Sequence, residues 1–176
     1  MKSIFAVAVG LILGSIAVPA WAQPGLDLSA GRKITGSVYQ SYSGHAYRSN
    51  AKNHARVLQH YNATGSVPKA VAEEHAAEVR RNLTAADKAL ANLEAENKGD
   101  KVATDLITEI KKHQADALKA CGMVEAECAK HNADGKAVAS CCTDMTAHLN
   151  AAEEAHTKLM KHLKIEMPSH TPKATK

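Results

Sequence analysis

The sequence predicts an all-α protein, an up-down-up-down four-helix bundle with an N-terminal extended arm and a disordered C-terminal tail. Apolar residues recur at spacings of three and four along four long segments. No alternating run is long enough for a strand, and short turns rich in Gly, Asn and Asp join the segments. Short connections make consecutive helices antiparallel neighbours, and 176 residues suffice for one such domain.

The first 22 residues have the pattern of a cleaved export signal peptide. Lys2 gives a short positive start, residues 4–18 are almost wholly apolar, and Ala20-Trp21-Ala22 is a small-residue cleavage site. The apolar run is shorter than the roughly 20 residues of a spanning helix, so we expect no membrane span after cleavage. The mature chain would begin at Gln23 and be periplasmic or secreted, in an oxidising compartment that permits disulfides.

Residues 23–43 are predicted to form an extended arm, because Gly and Ser recur there without strong helical periodicity. Helix 1 follows from about Gly44 to Tyr61, so the bundle occupies residues 44–166. Gly65 lies in the turn that ends this helix and suits the left-handed conformation found there. The spacing gives helix 1 one inner face, made of Tyr47, Ala51, His54, Leu58 and Tyr61.

Helix 2 is predicted to begin after Ser66, the capping residue, with Pro68 in the first turn, where its missing N–H costs little. The segment 84–87 fits a capping box, so a separate helix could start there. We favour one continuous helix that ends before Gly99, with Asp100 capping the next helix. The inner face of helix 2 is Ala72, His75, Val79, Ala86, Leu90 and Leu93.

Helices 3 and 4 form the second predicted hairpin, from about Lys101 to His131 and from about Lys136 to Ile165. We place the centre of their turn between residues 134 and 135. Residues 167–176 are rich in Pro, Thr and Lys and are predicted to be a disordered tail. The inner faces are Leu106, Ile110, His113, Ala117, Cys121, Val124, Cys128 and His131 on helix 3, and Val138, Cys142, Met145, Leu149, Ala152, His156, Met160 and Leu163 on helix 4.

Antiparallel pairing brings soft ligand side chains to one height of the predicted bundle. Residues equidistant from a turn share a height, because each residue rises about 1.5 Å along its helix. His54 and His75 are therefore level across the first turn. A second, thinner layer holds His113 and His156, with His45 near it. The first layer gathers His54, His75, Cys121, Cys128, Cys141, Cys142, Met145 and His148.

Imidazole, thiolate and thioether groups are the ligands of soft and borderline transition metals. Two to four of them in a bundle interior would hold one ion. Met145 beside Cys and His favours copper, with zinc second. The sequence thus predicts an exported bundle that sequesters or handles such an ion. Histidines and methionines at helical spacing also occur as ordinary packing residues, and that interpretation stays open.

The four cysteines allow a second interpretation, a structural disulfide. Cys121 and Cys128 are separated by about 10.5 Å of helix rise and cannot pair while helical. A bridge between the adjacent Cys141 and Cys142 would be strained. We expect a bridge from Cys128 to Cys141, or to Cys142, stapling helices 3 and 4 and worth about 3 kcal/mol.

The layout resembles that of exported four-helix bundles that store copper through cysteines lining the core. The resemblance is one of layout only. Those proteins carry many closely spaced cysteines on several helices, whereas the cysteines here are confined to helices 3 and 4. Helices 1 and 2 carry His54 and His75 instead. High-capacity storage is therefore not indicated.

Composition and motifs argue against several other functions. A net charge of +4 with 3% aromatic residues and no dense basic run does not suit nucleic acid. The sequence has no C-x-x-C-H motif, so we expect no haem. A di-iron bundle needs two E-x-x-H motifs, and only Glu153-x-x-His156 is present. No acid–base pair or activated nucleophile can be named, so we predict a binding protein, not an enzyme.

Two alternatives to metal binding remain at this stage. The chain could be a structural or interaction bundle of the cell envelope, stapled by the disulfide between helices 3 and 4, although the sequence identifies no protein partner. It could also be an envelope protein that responds to pH through its ten histidines, since imidazole is the side chain that titrates near neutrality.

Overall fold

The computed structural model describes residues 36–64, 68–130 and 134–166. These residues form four helices and, within those ranges, no strand. The helices are α1 (Gly36–Thr64), α2 (Lys69–Glu96), α3 (Lys101–Cys128) and α4 (Gly135–His162). The predicted all-α class is confirmed.

The four helices form a closed ring. Each helix packs on two neighbours, α1 on α2 and α4, and α3 on α2 and α4. Contact between the first and last helices closes the ring, which confirms the predicted four-helix bundle. No helix in the described part of the chain has the length and apolar character needed to cross a membrane.

Helix α1 begins at Gly36, not near Gly44, so the prediction of an extended arm is wrong for residues 36–43. Tertiary contacts override the low helix propensity of this Ser- and Gly-rich segment. Ser37 donates a 2.7 Å hydrogen bond to the Glu96 carboxylate at the end of α2, and Ser41 is fully buried. Three predictions lie outside the described residues: the signal peptide predicted for residues 1–22, the rest of the predicted arm, and the tail predicted for residues 167–176.

The inner face of α1 is rotated from the predicted one. Ala51 and Leu58 are buried as expected, whereas Tyr47 and Tyr61 are exposed and His54 is half-buried. Small residues let α1 approach its neighbours closely, so the tyrosine rings are left outside. The buried residues of this helix are Ser41, Gly44, Arg48, Ala51, Ala55, Leu58 and Asn62.

Helix α2 is a single helix through residue 84, as predicted. The Thr84 hydroxyl donates a 2.9 Å hydrogen bond to the Arg80 carbonyl of the preceding turn. Thr84 therefore lies within the helix and does not cap a new helix. Pro68 immediately precedes the first helical residue, so it lies at the capping position and not within the first turn. Ser66, the predicted cap, lies outside the described residues.

Aspartates cap the next two helices. Asp100 accepts a 3.0 Å hydrogen bond from the Ala103 amide at the start of α3, as predicted. Asp134 accepts a 2.9 Å bond from the Lys136 amide at the start of α4. Helix α3 ends at Cys128, short of the predicted His131, which lies outside the described residues.

The apolar core has two parts. The first apolar cluster draws on all four helices and includes Leu58, Leu83, Val124 and Leu149. The second apolar cluster draws on α2, α3 and α4, in residues 90–93, 103–110 and 152–163. The N-terminal half of α1 adds no apolar side chain to it, because polar residues occupy the inner face there.

Candidate metal centre

The register of α3 against α4 differs from the predicted one. Midway between the observed helix ends, the turn is centred about three residues earlier than expected. Residues of α3 therefore face α4 residues about six positions earlier, a change in register of roughly 9 Å along the axis. His113 therefore lies beside His148, with ring centroids 6.1 Å apart. The 2.7 Å contact between Asp100 and His162 follows the same register at the far end of the two helices. The predicted pairing of His113 with His156 is wrong for this reason.

Three ligand atoms converge at this contact. The side chains of His113, Asp116 and His148 each offer one nitrogen or oxygen, and these atoms lie within 4.8 Å of one another. His113 and Asp116 are three residues apart on α3 and share one face of the helix, while His148 faces them from α4. Among the described His, Cys, Asp and Glu residues, this is the one group of three or more that could hold an ion.

The centre is partly shielded from solvent. All three side chains are half-buried, and Nδ1 of His113 is buried without a hydrogen-bond partner among the described residues. A buried ring nitrogen without a partner is costly unless a water or an ion satisfies it. Two imidazoles and one carboxylate are the donor set of many three-ligand zinc sites, which leave one tetrahedral position open.

Asp116 was missed by sequence reasoning. The sequence contains the His-x-x-Asp spacing of residues 113 and 116, but a carboxylate is not one of the soft ligands on which the copper prediction rests. Because the turn between α3 and α4 is centred earlier than predicted, the sequence also did not indicate His148 as the partner of His113. The i, i+3 pairing of a histidine with a carboxylate on α3 is the signal that could have located this centre.

His54 and His75 meet as the sequence predicted. Their Nδ1 atoms are 2.8 Å apart and their ring centroids 5.1 Å apart, across the contact between α1 and α2. Both rings are half-buried. Burial lowers the pKa of His75, and the nearby His54 lowers it further, because each effect disfavours the charged imidazolium.

The cysteines lie in the first apolar cluster. Cys121, Cys128 and Cys142 are buried in it, and Cys141 packs against its edge. The Cys121 thiol lies 3.4 Å from the Ala76 carbonyl of α2 and donates to it. Burial raises the pKa of Cys121 to about 11 and that of Cys142 to about 12, so both are thiols at neutral pH.

All four cysteines are free in this structure, and the predicted disulfide between Cys128 and Cys141 is not formed. Cys142, not Cys141, is the α4 cysteine that faces the core. It lies close enough to Cys121 and Cys128 for their charges to raise its pKa. Cys141 points to the edge of the helix pair, where Asp144 and Glu127 are among its neighbours.

The eight residues predicted to share one layer fall into three places. His54 and His75 pair between α1 and α2, and His148 joins the centre between α3 and α4. The sulfur ligands remain in the apolar core, where Met145 is fully buried. These sulfur ligands are Cys121, Cys128, Cys141, Cys142 and Met145.

His156, the other member of the predicted second layer, belongs to a buried polar layer. It is 1% exposed, and Nδ1 accepts a hydrogen bond from the Arg48 guanidinium. Burial, then Arg48 and then His45 lower the pKa of His156 to about 3. The His45 ring is 6.2 Å away, so the expected proximity of His45 to His156 is confirmed.

Arg48 joins all four helices in this polar layer, which sequence reasoning also missed. Nη1 donates a 2.9 Å bond to Gln114 of α3, and Gln114 donates to Asp87 of α2. Gly44 lies against the guanidinium, where an added Cβ would be 3.4 Å from Nη1, an ordinary packing distance. Burial lowers the pKa of Arg48 to about 10, against the opposing effects of Glu153 and Asp87, and the group stays cationic at neutral pH.

The structure defines the class of the protein as a four-helix bundle with a candidate metal centre between its third and fourth helices. No protein-family model, curated protein or solved structure matches the chain. A fold alone does not specify a function, so the function must be argued from the site.

Proposed function

We propose that this protein binds a divalent transition-metal ion between α3 and α4 and serves to sequester or handle it. The observation that carries the proposal is the convergence of His113, Asp116 and His148, whose ligand atoms lie within 4.8 Å of one another. Separate helices supply the ligands, so bound metal would also tie α3 to α4.

The donor set indicates the kind of ion. Imidazole and carboxylate suit Zn²⁺ and Cu²⁺, whereas Cu⁺ is selected by thiolate and thioether. The sequence favoured copper because Met145 and the cysteines were expected beside the histidines. The separation of the buried sulfurs from this centre shifts the preference to Zn²⁺, with Cu²⁺ next.

The open coordination position suits an ion that must be released again. Three protein ligands leave room for water or for a ligand supplied by another molecule. Bound imidazoles must be neutral, so acidification would release the ion. Export to the periplasm or cell exterior, where the signal sequence would direct the chain, is part of the same proposal.

Isothermal titration of the full chain with Zn²⁺, under reducing conditions at neutral pH, tests the proposal. Removal of an outer-shell partner costs about 10–100-fold in affinity, so we expect loss of a direct ligand in H113A, D116N or H148A to cost about 100-fold or more. D144N and H60A change an exposed aspartate and an exposed histidine as matched controls. Equal affinity in D116N, H148A and the controls would overturn the proposal.

One observation favours a second candidate, the pH-responsive bundle. His156 is buried, neutral and hydrogen-bonded to a cation, so its protonation opposes the fold. This candidate needs no metal, and its pH dependence would persist in the presence of a chelator.

A further inference from the structure

The rings of His54 and His75 face each other through their Nδ1 atoms. Their Nδ1 atoms are 2.8 Å apart, and the rings are tilted by 51°. Between two neutral imidazoles, one Nδ1 donates and the other accepts a hydrogen bond. When the donating ring takes the tautomer that carries its proton on Nε2, both Nδ1 atoms have a lone pair directed at the same place, which is the arrangement a bound ion requires.

The pair can open to the spacing that coordination needs. With nitrogen–metal distances of about 2.0 Å, two imidazoles on one ion place their nitrogens at most about 4 Å apart. Both rings are half-buried at the edge of the α1–α2 contact, so side-chain rotation can supply the extra separation. The adjacent buried residues Ala55 and Ala76 hold the two helices in position.

The surroundings favour a cation. Glu74 and Glu78 lie close enough to His75 to raise its pKa by their charge, against the effect of burial. Glu78 is also paired with Arg81, so one of the two carboxylates is partly neutralised. The buried Cys121 thiol is hydrogen-bonded to the Ala76 carbonyl.

We propose that His54 and His75 form a second, open site for a divalent transition-metal ion, separate from the centre between α3 and α4. The protein supplies two ligands, and the other positions are left to water or to a ligand from a donor or acceptor molecule. Such a site exchanges its ion faster than the three-ligand centre. Binding at this pair does not require the other centre, but a shared role in metal handling rests on the proposed function.

The test counts Zn²⁺ ions bound to the reduced full chain by isothermal titration and follows the imidazole proton signals by NMR. The variants are H54A and H75A at the pair, H113A at the other centre, and H60A as an exposed-histidine control on α1. We expect two ions on the wild type and on H60A. One ion should remain on H54A, H75A or H113A, and Zn²⁺ should shift the His54 and His75 signals together.

The outcomes separate the two proposals. One bound ion that H54A and H75A leave unchanged overturns this inference and leaves the proposed function standing. One bound ion that is lost in H54A and kept in H113A supports this inference and overturns the proposed function. No bound ion overturns both. Because the rings are half-buried, H75N serves as a second variant, and circular dichroism checks that each variant is folded.

Discussion

Arg48 and His156 are hydrogen-bonded inside the bundle, where Arg48 is fully buried and His156 is 1% exposed. A guanidinium has donors and no acceptor, so Nδ1 of His156 must accept. The neutral ring therefore carries its proton on Nε2, which is buried without a partner among the described residues. The bond thus fixes both the tautomer and the charge state of His156.

This relationship predicts loss of stability in acid. The pKa of His156 is about 3 in the folded protein, well below the ordinary value of 6.5, so the unfolded chain binds the proton first. Its contribution is fully present above about pH 6.5 and is lost as the pH falls from there towards 3. His45, whose pKa burial also lowers, acts in the same direction. Asp87, whose pKa burial raises, acts in the opposite direction.

Urea unfolding at pH 7, 5 and 4 measures this effect. We expect the wild type to lose a few kcal/mol of unfolding free energy over that range. H156N keeps a side-chain acceptor for Arg48 but cannot titrate, so its loss should be clearly smaller. H60N, at an exposed histidine of α1, should behave as the wild type does. Parallel pH profiles for H156N and the wild type would contradict this assignment.

Arg48 is predicted to be the most sensitive charged residue in the bundle. R48M would leave Gln114 and His156 without their donor and would remove the positive charge that faces Glu153 and Asp87. Breaking a buried polar contact of this kind costs about 3 kcal/mol or more. R56M, an exposed arginine on the same helix, should change stability by less than about 0.5 kcal/mol.

The same unfolding measurement at neutral pH separates packing from polar pairing. If the cost arises from unpaired polar groups, R48M/H156L should recover part of the stability lost in R48M, because one unpaired acceptor is gone. A double variant that loses the full sum of the two single effects would show that the contact carries no coupling.

The cysteines are predicted to differ sharply in reactivity. Burial raises the pKa of Cys142 to about 12, which disfavours its reactive thiolate, whereas Cys141 is half-buried at the edge of the core. Iodoacetamide followed by mass spectrometry should label Cys141 first and Cys142 last. In urea all four should react alike. Equal native rates for Cys141 and Cys142, or a disulfide in the isolated protein, would contradict the structure.

The sequence alone predicted the four helices and the contact of one histidine pair, His54 with His75. Periodicity located α2, α3 and α4, and the meeting of His54 with His75 followed from a turn centre placed within about two residues. The α3–α4 turn was placed about three residues late, and that shift was enough to pair His113 with the wrong residue of α4. Register errors of this size are intrinsic to helix ends read from sequence.

The inner face of α1 could not be predicted from hydrophobicity. Tyr47 and Tyr61 were assigned to the core because they are large and apolar, whereas the structure buries Ser41, Gly44 and Arg48 there. An arginine is almost never fully buried unless it has partners. The hydrogen-bond partners of Arg48 lie on α3 and α4, the charge of Asp87 reaches it from α2, and local sequence reveals none of them.

Bound Zn²⁺ is predicted to stabilise the bundle. An ion that binds the folded state alone adds about 2.7 kcal/mol when its free concentration is 100 times its Kd. The gain arises because the folded register brings His113 and Asp116 to His148, and the unfolded chain does not hold these ligands together. Thermal unfolding followed by circular dichroism should show a Tm several degrees higher with Zn²⁺, and a chelator should reverse the shift.

The dependence of this shift on individual ligands identifies the site. D116N keeps the size and helical position of the side chain while weakening the ligand, so its Tm without metal should match that of the wild type and its gain with Zn²⁺ should be much smaller. D144N should gain as much as the wild type. If the single variants D116N and H148A both keep the full increase in Tm with Zn²⁺, the stabilising ion binds elsewhere. If H54A loses that increase while D116N and H148A keep it, the ion binds at the contact between α1 and α2.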